Sequence, residues 1–168
     1  MEAIEIVLAV LHVFGTVHWT PAHKNAECMV FRSANEMAAV WVADGGKSAS
    51  VPRRYDEAGE IRVFAEGTNQ PPAIDFEKHM VVAVFDGQKP SSGYSVRVEE
   101  VVYAAAKKTV WVIYSEKAPS PGAANSAVLT YPSHVVAVKR VEGEVKFLKS
   151  DSEEARKIQE AVKAAKTK

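Results

Sequence analysis

Pro71–Val102 reads PPAIDFEKHMVVAVFDGQKPSSGYSVRVEEVV. Two apolar runs, His79–Phe85 and Tyr94–Val102, flank a loop rich in Gly, Pro and Ser. The first holds Val81, Val82, Val84 and Phe85 and is too short for a typical helix, so its β-branched and aromatic content predicts a strand. The second alternates Tyr94, Val96 and Val98 with Ser95, Arg97 and Glu99, the period-two pattern of a strand with one buried face. Asp86-Gly87 and Ser92-Gly93 supply turn chemistry, and Pro90 has no amide for a ladder. The local expectation is a β-hairpin with a wide, structured loop.

Downstream, Lys107-Lys108 predicts a hairpin turn into Thr109–Ser115. There Val110, Val112 and Tyr114 alternate with Trp111 and Ile113, so both faces are apolar, as in a central strand covered on both sides. Ala118–Ser126 reads as a Pro/Gly/Ala loop, Ala127–Val138 as a strand bent at Pro132, and Val145–Leu148 as a last short strand. Upstream, Ile4–Trp19 predicts one long or bent strand with a bulge at Gly15, and Glu27–Arg32 a second strand. Ile61–Ala65 is a further strand candidate within a polar, turn-rich region that includes Arg53-Arg54. Asp75–His79 reads as one helical turn.

Ser33-Ala34-Asn35-Glu36 has the form of a capping box opening a helix near 34–42, with Met37, Val40 and Trp41 inward and Asp44-Gly45-Gly46 ending it. A C-terminal helix near 151–166 has acids at its start and Lys163 and Lys166 at its end, matching the macrodipole. Its stripe of Ala155, Ile158, Val162 and Ala165 is thin, and either lies on the sheet or faces a partner. The expected class is α+β: a mainly antiparallel sheet closing toward a sandwich or barrel, in one domain over 1–168 with 151–168 as an appendage.

The chain has 168 residues, 47% apolar and 25% charged, which suits one globular domain. Lys plus Arg balance Asp plus Glu at 21 each, so net charge points neither to nucleic acid nor to an anionic membrane. The single cysteine, Cys28, excludes an intrachain disulfide, and its apolar neighbours predict a buried structural thiol. The apolar run Ile4–Phe14 is interrupted by Glu5 and His12 and preceded by Glu2, which predicts neither a signal peptide nor a membrane span. The expected compartment is therefore the cytoplasm.

Catalytic motifs are absent: no G-x-S-x-G, no H-E-x-x-H and no phosphate-binding glycine loop. Ser92, His79 and Asp75 can be drawn as a triad, but no oxyanion site accompanies them, and Asp75 suits local capping. His12, His18, His23, His79 and His134 lack a metal-ligand spacing, so no metal and no cofactor is expected.

Asp75-Phe76, the valine strand, Gly87, Lys89-Pro90, Gly93-Tyr94-Ser95-Val96 and Leu129-Thr130-Tyr131-Pro132 together resemble the PrcB-like family. With Ser33–Trp41 the resemblance spans roughly residues 27 to 148. That family is named for a non-catalytic subunit of a bacterial surface protease complex. The resemblance implies a binding or stabilising module rather than an enzyme, with a protease or another envelope protein as partner. Relatives in that family carry export signals, unlike this sequence as read. The loop Lys89, Pro90, Ser91, Ser92, Gly93, Tyr94 is the expected partner-binding site, together with its neighbour 118–126. It also resembles the N-P-T-T-G-Y loop of chagasin-like inhibitors of cysteine peptidases, with Lys89 in place of Asn and that family's other binding loops unmatched. A peptidase inhibitor acting through residues 88–94 is thus the second expectation, and a β domain with a small-molecule pocket the third.

Overall fold

The computed structural model describes residues 8–19, 21–46 and 73–167. The proposed Ile61–Ala65 strand, the Arg53-Arg54 pair, the loops on either side of them and the start of the Ile4–Trp19 segment lie outside the described residues. The chain is α+β. Among the described residues eight strands form two four-stranded sheets, and these do not close into a barrel.

The first sheet has the order β1-β5-β6-β8, from β1 (Leu8–Val10), β5 (Ser95–Ala104), β6 (Thr109–Lys117) and β8 (Glu144–Lys149). The second has the order β2-β7-β4-β3, from β2 (Val13–Val17), β7 (Ser133–Lys139), β4 (His79–Asp86) and β3 (Ala26–Phe31). All pairs are antiparallel except β6 with β8, which run parallel. The exception follows from connectivity. The chain leaves β7 in one sheet and crosses to the other before laying β8 beside β6, so no hairpin imposes an antiparallel sense.

The valine run behaves as its composition requires. Every residue of β4 is buried, and β4 lies between β3 and β7. Met80, Val82 and Val84 face the other sheet, meeting Val96, Val98 and Val101 of β5 and Val110 and Val112 of β6. Val81, Ala83 and Phe85 face the other way and pack with Val17, Phe31 and Ile74 and with Met37 of α1 (Ala34–Ala43). A strand with two apolar faces needs a cover on each. For that reason the expected hairpin does not form: β4 and β5 belong to different sheets, and the loop between them is a crossover. β5 forms its hairpin with β6 instead, through a 3-10 turn at Ala105–Lys107 and Lys108 at φ 46°. β6 is the doubly covered central strand its pattern predicts, with Trp111 and Ile113 under α2 (Glu153–Lys166).

Two further expectations are corrected. The N-terminal strand is cut at Leu11-His12, so that β1 joins one sheet and β2 the other; the bulge falls between Val13 and Gly15, where Gly15 placed it. The strand expected over Ala127–Val138 is regular only from Ser133, because Pro132 breaks the segment, and residues before it keep a single bridge, Lys89 with Thr130.

Both helices start as their caps dictate. Ser33 Oγ accepts the Glu36 amide at 3.2 Å, while Glu36 reaches back to the Arg32 amide at 2.7 Å, one residue beyond the usual capping-box partner. Ser152 Oγ accepts the Ala155 amide at 3.2 Å. The thin stripe of α2 lies on the first sheet: Ala155, Ile158 and Val162 are buried against Val102, Ala104, Trp111 and Ile113. Among the described residues no helix is long and apolar enough to cross a membrane.

Candidate functional site

The expected loop lies at the end of β4 and β7 and is tied along its length to the 118–130 segment. Lys89 and Thr130 exchange backbone hydrogen bonds of 2.8 and 3.0 Å. The Ser92 amide donates to the Ser126 carbonyl at 3.0 Å, and the Ser126 amide returns a bond to Ser92 Oγ at 2.9 Å. Thr130 Oγ1 donates to the Ser91 carbonyl at 2.8 Å. Residues far apart in sequence thus form one two-loop unit on the rigid ends of the sheets.

The side chains of Lys89, Ser91 and Ser92 in the expected binding loop are engaged within the two-loop unit. Lys89 is half-buried, pairs with the buried Asp86 carboxylate at 3.1 Å, and lies 5.5 Å from the centre of the Tyr94 ring. Ser91 Oγ donates to the Ser92 carbonyl at 3.2 Å. These side chains hold the loop. A short loop leaves many backbone groups without a ladder, and its polar side chains are the nearest partners. Pro90 and Gly93 are exposed, Tyr94 is half-buried, and Gly93 has φ 94°. The exposed apolar groups come from the other loop: Val128 is 54% and Leu129 59% exposed. Sequence reading placed both in a strand, and their alternation-free apolar pair carried no signal that they would face water.

Other polar constellations are structural in their geometry. His79 and the Ser92 loop lie at opposite ends of β4, separated by roughly 23 Å of extended strand, so the drawn triad does not assemble. Asp75 Oδ1 accepts the Glu77 amide at 3.0 Å, the local capping its position suggested. His23, only 6% exposed, has Nδ1 2.7 Å from Asp44 and Nε2 2.6 Å from Glu27, while Trp19 Nε1 donates to the same Asp44 oxygen at 3.0 Å. This buried group fastens the loop before β3 to the end of α1, a satisfied histidine that no spacing in the sequence announced. Among the described residues no cluster of three His, Cys, Asp or Glu side chains is arranged to hold a metal ion.

Clefts are present among the described residues. One, of about 510 Å³, is lined by Arg32, Ser33, Ile74, Phe76 and Arg140 among others. Its guanidinium groups are engaged with backbone: Arg140 donates to the carbonyls of Arg32 (2.9 Å) and Phe76 (2.8 Å), and Arg32 to those of Val141 (2.8 Å) and Gly143 (3.0 Å). Another, of about 190 Å³, lies by Tyr114, Glu116 and Lys149. Between the two sheets, valine side chains from both pack into one core cluster. Cys28 packs against that core beside Tyr114, and burial pushes its thiol above the ordinary 9.0.

The family described as PrcB C-terminal matches residues 80–139. That stretch is PrcB-like. The PrcB-like stretch runs from the second residue of β4 to the end of β7, so it contains both surface loops and the central strands that carry them. No curated protein and no solved structure matches the chain.

Proposed function

We infer that this PrcB-like chain is a non-catalytic protein-binding module of a protease or envelope complex, and that it binds through the paired 87–94 and 118–130 loops. The observation that carries this reading is the set of hydrogen bonds joining Lys89 to Thr130 and Ser92 to Ser126. Loops already held in one conformation lose little entropy when a partner docks. Val128 and Leu129 offer apolar surface just before the Thr130–Lys89 bridge, and the family match spans this whole unit. The unit lacks a fully exposed large aromatic anchor, which sets the expected affinity as modest.

The test is capture of a partner from the native source by the tagged full chain, with Val128→Asp/Leu129→Asp as the control. Both positions are exposed, so the double variant keeps its melting temperature and loses the partner. A partner retained by the folded double variant places the binding surface elsewhere. The inhibitor reading rests on the exposed Pro90 and the left-handed Gly93 at the loop tip. Inhibition of a papain-like peptidase, abolished by Tyr94→Ala, would select it over the accessory role.

A further inference from the structure

β5 is paired with β1 only near its end. Leu8, Ala9 and Val10 face Ala104, Tyr103 and Val102, and the Leu11 amide donates to the Val101 carbonyl at 2.8 Å. At Leu11-His12 the chain leaves the first sheet and continues as β2 in the second. The earlier part of β5 has no strand on that side among the described residues. Its pairing with β6 also slips between Val98 and Glu100, which makes a bulge. A backbone amide here has lost its ladder acceptor, and an orphaned buried donor is costly. The Val98 amide instead donates to Nδ1 of His134 at 2.8 Å. His134 lies on β7, in the opposite sheet, paired with Val84 of β4. Its imidazole supplies the acceptor that the departing strand withdrew.

The bond fixes the state of the ring. A backbone amide can only donate, so Nδ1 carries the lone pair and the proton of the neutral imidazole sits on Nε2. A proton added at Nδ1 sets two donors against each other and abolishes the bond. We propose that His134 is a pH-operated latch between the two sheets, closed while its ring is neutral and released when the ring is protonated.

The surroundings set where it operates. Burial holds the imidazole below its ordinary 6.5, Arg97 on β5 acts in the same sense, and Glu99 on β5 opposes them. The Glu99 carboxylate accepts from Ser115 Oγ of β6 at 2.6 Å. Tyr114, opposite Val98 on β6, has its phenol pushed up to about 12 and stays neutral through this range, and β4 presents Val84. A lowered folded value means that the latch contributes its full stability above pH 6.5 and loses it as pH falls through the folded value. β5 begins at Ser95, next to the surface loop, so release loosens the strand on which that loop is mounted. The latch goes beyond the binding role and stands whether or not the loops take a partner.

Nuclear magnetic resonance on the full chain tests this, following the ring nitrogens of His134 and the exchange protection of the Val98 amide from about pH 8 to about pH 5. The expected result is the Nε2–H tautomer at the alkaline end. Val98 protection should then fall roughly tenfold as His134 titrates, while the Val82 amide in central β4 stays constant. His134→Asn places an amide oxygen near the Nδ1 position and cannot titrate, so it keeps Val98 protected and removes the pH dependence. His134→Phe loses protection at every pH; if that variant fails to fold, the wild type and the asparagine variant still decide. An Nδ1–H tautomer, or Val98 protection that does not change through the His134 titration, overturns the proposal.

Discussion

Ser92 and Ser126, 34 positions apart, exchange two hydrogen bonds: the Ser92 amide donates to the Ser126 carbonyl at 3.0 Å, and the Ser126 amide donates to Ser92 Oγ at 2.9 Å. One side chain therefore carries half of the link between the two surface loops at this point. Ser92→Ala removes that acceptor at a solvent-accessible place, so the expected loss is modest, about 0.5–1.5 kcal/mol in chemical denaturation. The accompanying signature is faster amide exchange at Ser126 with Thr130 unaffected. Equal exchange in variant and wild type would show that the loops are held without this hydroxyl.

Glycine substitutions should rank by what their new methyl meets. At Gly93, φ is 94° and a Cβ meets the side chain of Asn125, which can swing aside. At Gly143, φ is 135° and a Cβ runs into the backbone carbonyl of Lys108, which anchors the Glu144 amide at 2.9 Å and cannot yield cheaply. Gly93→Ala is expected to cost about 1–2 kcal/mol and Gly143→Ala distinctly more. Thermal unfolding of the two variants side by side checks the order.

Alkaline pH should weaken the fold. Burial raises the Tyr114 phenol from 10.0 to about 12, with the Cys28 thiol beside it as a further cause, and burial likewise raises Cys28 above 9.0. Both groups are raised, so their contribution is complete below the ordinary values and is lost as pH climbs through the folded ones. The denaturation midpoint is expected to decline from about pH 9 upward, and Tyr114→Phe to flatten the upper part of that decline. At pH 8 the thiol of the native chain should react with a disulfide reagent more slowly than that of the urea-unfolded chain.

Arg140 joins three segments, donating to the carbonyls of Arg32 and Phe76 while its own amide donates to Lys78. Arg140→Leu keeps the backbone bond and strands the two carbonyls. Loss of charged hydrogen bonds of this kind costs about 1.5–3 kcal/mol, and Arg140→Lys should recover only part of it because an ammonium lacks the guanidinium's planar fork. Equilibrium urea unfolding of both variants gives the comparison.

The proposed non-catalytic role predicts blank results with esterase, peptidase and phosphatase substrates. Turnover that vanishes in His79→Ala would overturn it. The buried His79 Nδ1 has no hydrogen-bond partner among the described residues, which makes that residue the sharpest control.

The strands themselves were legible. β4, β5 and β6 follow from β-branched runs and alternation, and the doubly apolar faces of β6 announced a central position. Ser33 announced one helix start through a hydroxyl that reaches an amide within the same turn, and the acids ahead of Lys163 and Lys166 announced the other helix. The loop Lys89–Tyr94 stood out by its Pro and Gly, and Gly93 adopts the positive φ such a turn demands. All of these depend on contacts between near neighbours or on whether a side chain meets water.

What lay beyond reach depends on distant pairs. Asp86-Gly87 looked like a hairpin signal, yet β4 and β5 part into separate sheets because each apolar face of β4 needed a different cover. The same holds for Ser92 with Ser126, His23 with Asp44 and Val98 with His134. Composition and periodicity determine which residues leave water and which local conformations they can adopt. Which buried surfaces meet, and which orphaned amide finds which ring nitrogen, was decided only when the two sheets packed, because hydrophobic burial has no direction while hydrogen bonds demand one.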